Sequence, residues 1–301
     1  MRAIVTGGAG FIGSHAVDAL VARGDEVHVL DDLSKGRRDR VAAEAELHVA
    51  DIREPDAVFD RARPELVFHL AAQADVRLSV ERPSFDADVN VLGTVRILEA
   101  ARRHGARVVF ASTGGAIYGE CDGPAPETAE RRPLSPYGTS KLAAEEYLAT
   151  WNRLFGTRHV ALRFGNVYGP RQEPHGEAGV VAIFMGLLHE GGEPTIFGDG
   201  GQTRDYVYAG DVVESMLAAA ELGGGGVFNV GTGTETSVNE LYAAIQRAAG
   251  VEREPRYGEA RLGELRRSVL DIALAERELD WRPRHSLDEG LAETWSWIVE
   301  E

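Results

Sequence analysis

The amino-acid sequence predicts an α/β fold built on a doubly wound parallel sheet, with helices on both faces. Six short apolar runs rich in β-branched residues recur along the first part of the chain, and polar stretches of helical character separate them. These runs cover residues 3–6, 26–30, 47–50, 66–70, 108–111 and 160–162. Strands that are buried on both faces of a parallel sheet have this continuous apolar pattern, and the helices between them provide the crossovers.

The first predicted strand leads directly into the segment 6–13, TGGAGFIG, whose glycines fit both GxxGxxG and GxGxxG. Glycines at this place permit a tight turn and let a pyrophosphate approach the backbone at a helix N-terminus. Asp31 and Asp32 end the second strand, where a carboxylate accepts hydrogen bonds from ribose hydroxyls and repels a 2′-phosphate. The pattern predicts a Rossmann-type sheet that binds NAD rather than NADP. The alternative is an ordinary glycine turn beside a solvated acid pair.

Asp51 and Ile52 follow the third predicted strand. A carboxylate at this place would meet the adenine amino group of a dinucleotide. Taken alone, Asp51 fits equally well as the cap of a helix that starts at Arg53.

Composition narrows the class of protein. Of the 301 residues 44% are hydrophobic, which is enough for a large core without disulfides or a structural metal. The formal net charge of −16 argues against an extended basic surface for nucleic acid or an anionic membrane. Cys121 is the one cysteine, which excludes an intramolecular disulfide and any CxxC site. We therefore expect no metal centre and no nucleic-acid partner.

The sequence carries no targeting or membrane signal. Its N-terminal segment has only a short apolar run before the glycines and lacks the apolar core of a signal peptide. No run approaches the ~18 apolar residues of a membrane span. We therefore expect a soluble, cytoplasmic protein without a membrane partner.

One helix is predicted over residues 136–155. Ser135 suits its N-cap and Pro136 its first turn. Leu148, Trp151 and Phe155 lie on one apolar stripe of this helix.

The regular alternation of predicted strands and helices ends after Gly169, where long loops rich in glycine and proline begin. Further helix candidates cover 180–188, 237–249 and 286–299, and a strand-like run at 227–230 suggests that the chain returns to the first sheet. We expect a dinucleotide-binding domain over 1–169, with returning segments near 205–235. A smaller, interleaved region over 170–301 would be mainly substrate-binding.

Tyr137 and Lys141 are four residues apart, so both side chains project from one face of the predicted helix. A phenol has a pKa of ~10, so action as a base at pH 7 requires a pKa about 3 lower. A lysine ammonium one turn away and an oxidised nicotinamide would supply the necessary positive charge. Ser112 and Thr113 end a predicted strand and would complete a catalytic group. For the Tyr-Lys pair alone, a structural role is the alternative.

Together these residues resemble the extended short-chain dehydrogenase/reductase superfamily. Within it the chain is most similar to the UDP-glucose (UDP-galactose) 4-epimerases, and the resemblance covers essentially its whole length. The matching segments are GGAGFIG (7–13), the acid pair 31–32, HLAAQ (69–73), Asn90 with Gly93-Thr94, residues 112–119, SPYGTSK (135–141), RFGNVYGP (163–170), GQTRDYVYAGD (201–211), residues 229–233 and residues 261–271.

The resemblance implies a role for each matching residue. Tyr137 would be the acid/base, Lys141 would lower its pKa and hold the nicotinamide ribose, and Thr113 would bond the sugar O4. The residues implied to hold NAD are Gly7, Gly10, Phe11, Ile12, Gly13, Asp31, Asp32, Asp51, Ile52, Leu70, Ala71, Ala72, Gln73, Asn90, Ser112, Tyr137, Lys141 and Phe164. Those implied to hold the UDP-sugar are Thr113, Gly114, Asn166, Arg204, Tyr206, Arg261, Glu264 and Ser268.

The arginines of this set also suit a diphosphate on chemical grounds. A guanidinium group binds phosphate in a bidentate manner, and an otherwise acidic protein needs local cations to bind it. For Arg204, the alternative is a surface ion pair with Asp205.

The sequence departs from the family in the loop after Thr113. Residues 114–117, GGAI, make this loop one residue longer than in the epimerases, so Ser112 is the alternative contact for the sugar O4. Sugar-nucleotide 4,6-dehydratases place an Asp-Glu pair after the threonine, and the related decarboxylases place a glutamate there. The glycines of this chain therefore disfavour both reactions.

The resemblance implies NAD-dependent 4-epimerisation of a UDP-hexose through a transient 4-keto sugar, in a homodimer whose helix pair would include 136–155. A UDP-glucuronate 4-epimerase or another nucleotide-sugar-modifying enzyme is the first alternative. A non-catalytic dinucleotide-binding module is the second, although such modules typically lose the Tyr or the Lys.

Ser268 aligns with a position where the more restrictive epimerases carry a tyrosine. The smaller serine would leave space beside the sugar C2 and offer a hydrogen-bond donor, which predicts activity on the N-acetyl sugars as well. Two alternatives involve Arg266 and Arg267: they would refill the gap by folding inward, or they would favour a carboxylated sugar.

Overall fold

The computed structural model describes residues 1–174, 179–222, 224–260 and 265–300 of the chain. Its strands are β1 (Arg2–Thr6), β2 (Glu26–Asp31), β3 (Glu46–Val49), β4 (Leu66–His69), β5 (Arg107–Thr113), β6 (Val160–Phe164), β7 (Asn166–Tyr168), β8 (Thr195–Phe197), β9 (Thr203–Arg204), β10 (Tyr206–Tyr208), β11 (Gly226–Val230), β12 (Thr236–Ser237) and β13 (Arg256–Gly258). Its α-helices are α1 (Phe11–Ala22), α2 (Asp56–Ala62), α3 (Val76–Glu81), α4 (Pro83–Ala87), α5 (Gly93–His104), α6 (Gly114–Ile117), α7 (Pro136–Phe155), α8 (Val180–His189), α9 (Ala209–Leu222), α10 (Val238–Ala249), α11 (Ala273–Leu279) and α12 (Leu287–Glu300).

Seven of the strands form one parallel sheet in the order β11-β6-β5-β4-β1-β2-β3. Ala3 of β1, for example, lies between Val27 of β2 and Leu66 of β4. The chain builds outward from β1 first on one side and then on the other. The crevice where the order reverses is the usual ligand site of such sheets. The predicted α/β class with a doubly wound parallel sheet is confirmed.

All six apolar runs named from the sequence are strands of this sheet, with bounds that move by up to two residues. The strand β5 continues to Thr113 because its last two residues pair with Arg163 and Phe164 of β6. The run at 227–230 belongs to β11, the parallel partner of β6, so the chain does return to the first sheet.

Two apolar layers cover the sheet. Helices α1, α9 and α11 pack on one face around Val17, Leu20 and Met216. Helices α2, α5 and α7 pack on the other face around Phe59 and Leu98. A further apolar cluster gathers α8, α10 and α12 beside β7, β8 and β10, which gives the later part of the chain a core of its own. Throughout the described ranges, each helix is too short or too polar to cross a lipid bilayer.

The long helix predicted from the sequence is α7. The Ser135 hydroxyl accepts a hydrogen bond from the Gly138 N–H at 3.2 Å, and Pro136 occupies the first turn. The predicted apolar stripe is buried only in part, because Leu148 is 2% exposed whereas Phe155, the last residue, is 47% exposed.

A buried ion pair joins α7 to β6. The Arg163 guanidinium contacts the Glu145 carboxylate at 2.6 and 2.9 Å, and both side chains are 2% exposed. Arg163 also donates to the Tyr118 hydroxyl at 2.7 Å, and that hydroxyl donates to Asn229 at 2.8 Å. Because the pair has little access to water, loss of either partner leaves the other charge buried and unpaired.

We expect Arg163→Met to lower the free energy of unfolding by about 3–5 kcal/mol, since Glu145 would lose its partner inside the core. Urea unfolding followed by circular dichroism measures this loss. Arg247→Met is the matched control, because Arg247 pairs with Asp288 on the surface at 2.9 Å and should contribute less than about 1 kcal/mol. Equal losses in the two variants would contradict this interpretation of the buried pair.

Candidate active site

The residues assigned from the sequence converge on one edge of the sheet. Strands β1, β2, β4, β5 and β6 are parallel, so their carboxyl ends meet at the same edge. Direct contacts join the loops there: the Ala71 N–H donates to the Thr6 hydroxyl at 3.1 Å. A Cβ on Gly7 would lie 2.7 Å from the backbone nitrogen of Ala71, so only glycine permits this approach.

The glycine turn forms an open cradle at the start of α1. Gly7 has a φ of 71°, and a Cβ on Gly13 would lie 2.0 Å from the Gly7 carbonyl oxygen. Gly10 is the N-cap and has no side chain to cap the first N–H groups. Phe11 and Ile12 open the helix, and Ile12 packs on the apolar layer behind it. Backbone donors at an uncapped helix N-terminus suit a pyrophosphate, as predicted.

The two aspartates after β2 face different surroundings. Asp31 is 6% exposed, and its carboxylate accepts the N–H groups of Ala9 at 3.0 Å and Leu33 at 2.9 Å. Burial raises the pKa of Asp31, and these two N–H groups oppose the rise. Asp32 is exposed and accepts both the N–H and the hydroxyl of Ser34. Asp31 therefore anchors the glycine turn at the place where a ribose would lie.

The cap alternative for Asp51 is wrong. Helix α2 begins only at Asp56, with Pro55 as its N-cap. The Asp51 carboxylate instead accepts the N–H of Arg53 at 2.8 Å and pairs with its guanidinium, which lowers the pKa of Asp51. Ile52 is 6% exposed and packs in the core.

The side chain of Asn90 holds the loop that follows β4 by hydrogen bonds. The Asn90 amide oxygen accepts the Gln73 N–H at 2.9 Å, and its NH₂ donates to the Gln73 carbonyl at 2.8 Å. The NH₂ also donates to Asp86 at 3.0 Å, so both of its protons are used within the protein. A π-helical turn, Asp88–Leu92, places Asn90 for these bonds. Asn90 therefore positions the loop formed by Leu70, Ala71, Ala72 and Gln73, and would affect a bound cofactor through that loop.

Tyr137 and Lys141 share one face of α7, and the Lys141 Nζ lies 5.9 Å from the centroid of the Tyr137 ring. The ammonium donates to the Ala111 carbonyl at 2.8 Å and lies 4.7 Å from the Phe110 ring centroid. Burial lowers the pKa of Lys141 to about 8. Burial, with the Asp86 charge, raises the pKa of Tyr137 to about 12. In the chain alone, Lys141 therefore does not bring the pKa of Tyr137 below its ordinary value.

The structure separates the two hydroxyls at the end of β5. Successive side chains of a strand point to opposite faces. Ser112 is 4% exposed and donates to the buried Glu145 at 2.5 Å, so its hydroxyl is committed to the core. Thr113 is half-buried and its side chain caps no N–H of α6. The buried, hydrogen-bonded Ser112 hydroxyl therefore disfavours the alternative that Ser112 contacts the sugar O4.

Three of the predicted substrate residues lie in the short strands β7, β9 and β10. Asn166 is exposed, and its amide oxygen lies 3.7 Å from the position of a Cβ on Gly115. Tyr206 is buried in β10, next to Arg204 of β9. Ser268 is 6% exposed, and its N–H donates to the Thr203 carbonyl at 3.3 Å. Phe164 ends β6 in the core. Arg261 and Glu264 lie outside the described residues.

The alternative of a surface ion pair between Arg204 and Asp205 is wrong. Asp205 is 2% exposed, and its carboxylate accepts the N–H and hydroxyl of Thr232, both at 2.7 Å. It also accepts the N–H groups of Gly233 at 3.1 Å and Leu270 at 3.3 Å. Asp205 thus holds three loops together and leaves the Arg204 side chain to other partners.

Sequence reasoning missed Asp86, a fully buried carboxylate beside the Tyr137-Lys141 pair. One of its oxygens accepts Gln73 and Asn90 at 2.9 and 3.0 Å. The other accepts the Ser140 hydroxyl at 2.6 Å. Asp86 therefore ties the loop after β4 to α7. Its spacing of four residues from Asn90 on a helix was the one available signal, since Ser140 is distant in sequence.

The glycine cradle and the acid at the end of β2 suit a dinucleotide. Comparison with known proteins identifies the family. A model of the NAD dependent epimerase/dehydratase family matches residues 3–231. The chain belongs to this family.

Three members of the NAD dependent epimerase/dehydratase family illustrate the similarity. A UDP-glucose 4-epimerase of Mycolicibacterium smegmatis is 49% identical over 304 residues, covering 98% of this chain and 97% of its own length. The structure of a UDP-glucose 4-epimerase from Thermotoga maritima with UDP-glucose has a TM-score of 0.97 at 46% identity, covering 100% and 99% of the two chains. That of a Thermus thermophilus UDP-glucose 4-epimerase with NAD has a TM-score of 0.93 at 46% identity, covering 99% of each chain.

The residues of this family member fit NAD. The cradle between Gly7 and Gly13 would be filled by added Cβ atoms, and uncapped backbone donors face it. The Asp31 carboxylate stands at the end of β2, where the N–H groups of Ala9 and Leu33 hold it. The site therefore favours two free ribose hydroxyls over a 2′-phosphate.

We expect Asp31→Ala to weaken NAD binding by roughly 10- to 100-fold, the effect of losing hydrogen bonds to a charged group. The variant should also discriminate less against NADP, because the repelling charge is gone. Calorimetry on protein freed of nucleotide measures both dinucleotides, and Asp60→Ala, at an exposed aspartate of α2, is the control. Equal affinity of the parent for NAD and NADP would contradict the assignment.

Proposed function

We propose that the protein catalyses the 4-epimerisation of a UDP-hexose, UDP-glucose or UDP-galactose, with NAD as cofactor. The observation that carries the proposal is the Tyr137-Lys141 pair of α7, whose ammonium bonds the Ala111 carbonyl of β5, the strand that Thr113 ends. The 46–49% identity with UDP-glucose 4-epimerases over nearly the whole chain supports it.

In the proposed mechanism Tyr137 accepts the proton of the sugar 4-hydroxyl, and Thr113 holds the same oxygen by a hydrogen bond. A buried phenol with a pKa of about 12 does not ionise unaided at neutral pH, so the site must add positive charge. Lys141 provides one such charge, because a pKa of about 8 keeps it mostly protonated at pH 7. Bound NAD supplies a second positive charge and the reversible uptake of the C4 hydride, which keeps the reaction redox-neutral.

The remaining substrate residues hold the diphosphate while the 4-keto sugar rotates and presents its other face to the cofactor. We assign this role to Asn166, Arg204 and Tyr206, with Arg261 and Glu264 from the family pattern. Binding energy in the nucleotide keeps the intermediate in place during the rotation. The proposed cofactor residues are those named from the sequence, with Asn90 and Ser112 acting through their neighbours.

Two rival reactions are disfavoured by the loop after Thr113. A Cβ on Gly114 would lie 2.5 Å from the buried Leu270 side chain, so an acid at this place, as in a 4,6-dehydratase or a decarboxylase, would require that side chain to move. Arg266 and Arg267 pair with Asp199 and Glu235, which argues against their use for a uronate.

We also propose a cytoplasmic homodimer. The α7 face that carries Tyr147, Trp151 and Phe155 supports the dimer, because Tyr147 and Phe155 are 41% and 47% exposed and their rings contact Trp151. The free thiol of Cys121 is compatible with a reducing compartment. As a working division, residues 1–169 with the returning 205–235 form the NAD-binding domain, and 170–301 mainly bind substrate.

We expect Tyr137→Phe to lower the rate of UDP-glucose epimerisation by ~10²- to 10⁴-fold, because the proton acceptor is lost while the ring still packs. NMR of the sugar anomeric protons follows the formation of UDP-galactose. Tyr147→Phe removes a hydroxyl from the exposed part of the same helix and should leave the rate unchanged. A Tyr137→Phe rate within tenfold of the parent would refute the assignment of Tyr137 as the proton acceptor.

We expect the parent enzyme to epimerise UDP-N-acetylglucosamine as well as UDP-glucose. The Arg266 guanidinium contacts Asp199 at 2.7 Å, and Arg267 pairs with Glu235, so neither arginine refills the space beside Ser268. Ser268→Tyr should lower kcat/KM for the acetylated sugar by at least about tenfold and spare UDP-glucose. If the parent ignores the acetylated sugar, the pocket argument fails while the epimerase assignment can stand.

A further inference from the structure

The edge of the sheet opposite β11 carries a cluster of histidines and glutamates that the epimerase chemistry does not use. Strand β2 contributes Glu26 and His28, and the edge strand β3 contributes Glu46 and His48. Alternate residues of a strand share a face, and the register sets His28 beside Glu46. The four side chains therefore lie together on one face.

Three donor atoms of this cluster converge on one point. The His28 Nδ1 lies 3.0 Å from the His48 Nε2 and 3.5 Å from a Glu46 carboxylate oxygen. The His48 Nε2 lies 3.9 Å from the other oxygen of Glu46. Donors of a tetrahedral zinc site with bonds of about 2.0–2.1 Å are roughly 3.3 Å apart, so small side-chain rotations bring all three to bonding distance.

Neighbouring side chains orient two of these three residues, His28 and Glu46. The His28 Nε2 lies 3.3 Å from the Glu26 carboxylate, so the proton of this imidazole belongs on Nε2 and the Nδ1 lone pair faces the cluster. A carboxylate behind a ligating histidine is the usual arrangement in metal sites. Arg61 contacts the Glu46 carboxylate at 2.6 Å and fixes its direction.

We propose that His28, Glu46 and His48 bind one divalent transition-metal ion of the Zn²⁺ class. Two imidazole nitrogens and one carboxylate oxygen form a donor set that zinc accepts, with water in the fourth position. His28 is 4% exposed while His48 and Glu46 are partly open to solvent, so an ion has a path to the site. The ion replaces the proton shared between the two imidazoles. The earlier expectation of no metal centre followed from cysteine spacing and did not cover histidine ligands.

A bound ion would link β3, the outermost strand, to β2 by side-chain bonds in addition to backbone pairing. Binding to the folded chain alone stabilises it, so the thermal midpoint should rise with Zn²⁺ concentration. None of the three ligands belongs to the catalytic helix or to the glycine turn, so this proposal does not rest on the epimerase assignment.

The test is calorimetric titration of the tag-free, EDTA-treated protein with Zn²⁺. We expect one ion per chain for the parent, at least tenfold weaker binding in His48→Gln, and a thermal midpoint that Zn²⁺ raises in the parent but not in His48→Gln. His104→Gln is the matched control, since His104 contacts a single carboxylate, Asp60, at 3.1 Å. Its Zn²⁺ affinity should equal that of the parent.

Two further measurements keep the result decisive. Glu46→Gln changes a partly exposed ligand without loss of volume and should also weaken binding, so it serves if His48→Gln does not fold. Co²⁺ in place of Zn²⁺ should give the intense visible absorption of a tetrahedral site in the parent. Equal Zn²⁺ affinity in parent, His48→Gln and Glu46→Gln, or no binding by the parent, would overturn the proposal.

Discussion

The site is organised around one buried positive charge, the ammonium of Lys141. Burial lowers its pKa to about 8, and the carboxylates of Asp86 and Glu145 oppose that fall. Each of these carboxylates is tied to a different part of the fold. Asp86 holds the loop after β4, whereas Glu145 pairs with Arg163 of β6. The cost of burying the ammonium is thus offset by groups that also fix the elements around it.

The same charges explain why the chain alone leaves Tyr137 protonated. Asp86 stabilises the Lys141 ammonium but raises the pKa of the nearby phenol. A carboxylate that supports one catalytic group therefore opposes the other. In the proposed mechanism, the balance favours proton transfer only once further positive charge enters the site, which would couple ionisation of Tyr137 to the binding of an oxidised cofactor.

The spacing of residues close together in the sequence predicted those parts of the fold and of the site that depend on local contacts. The apolar runs, the cap of α7 by Ser135 and the shared face of Tyr137 and Lys141 follow from spacing alone. The cap role of Asp51 was wrong because the Arg53 side chain, two residues away, competes for its carboxylate. Asp86 was missed because its partner Ser140 is 54 positions away, and only the packing of α7 brings the two together.

The choice between Ser112 and Thr113 as the contact for the sugar O4 requires the fold in addition to the sequence pattern. Alternation along β5 sends one hydroxyl to each face, but the sequence does not say which face bears the ligand. That face is decided by Glu145, which takes the Ser112 hydroxyl into the core. The histidine cluster is similar: Glu-x-His occurs in both β2 and β3, yet only the register that pairs His28 with Glu46 makes it one site.

The later part of the chain depends in the same way on one buried group, Asp205. Its carboxylate accepts hydrogen bonds from Thr232, Gly233 and Leu270, and its pKa is raised by burial. Because Leu270 is two residues from Ser268, Asp205 sets the position of the residue proposed to face the sugar C2. In the proposed function, a carboxylate of the framework would therefore set the position of the space beside the sugar, and the side chain of residue 268 would set its size.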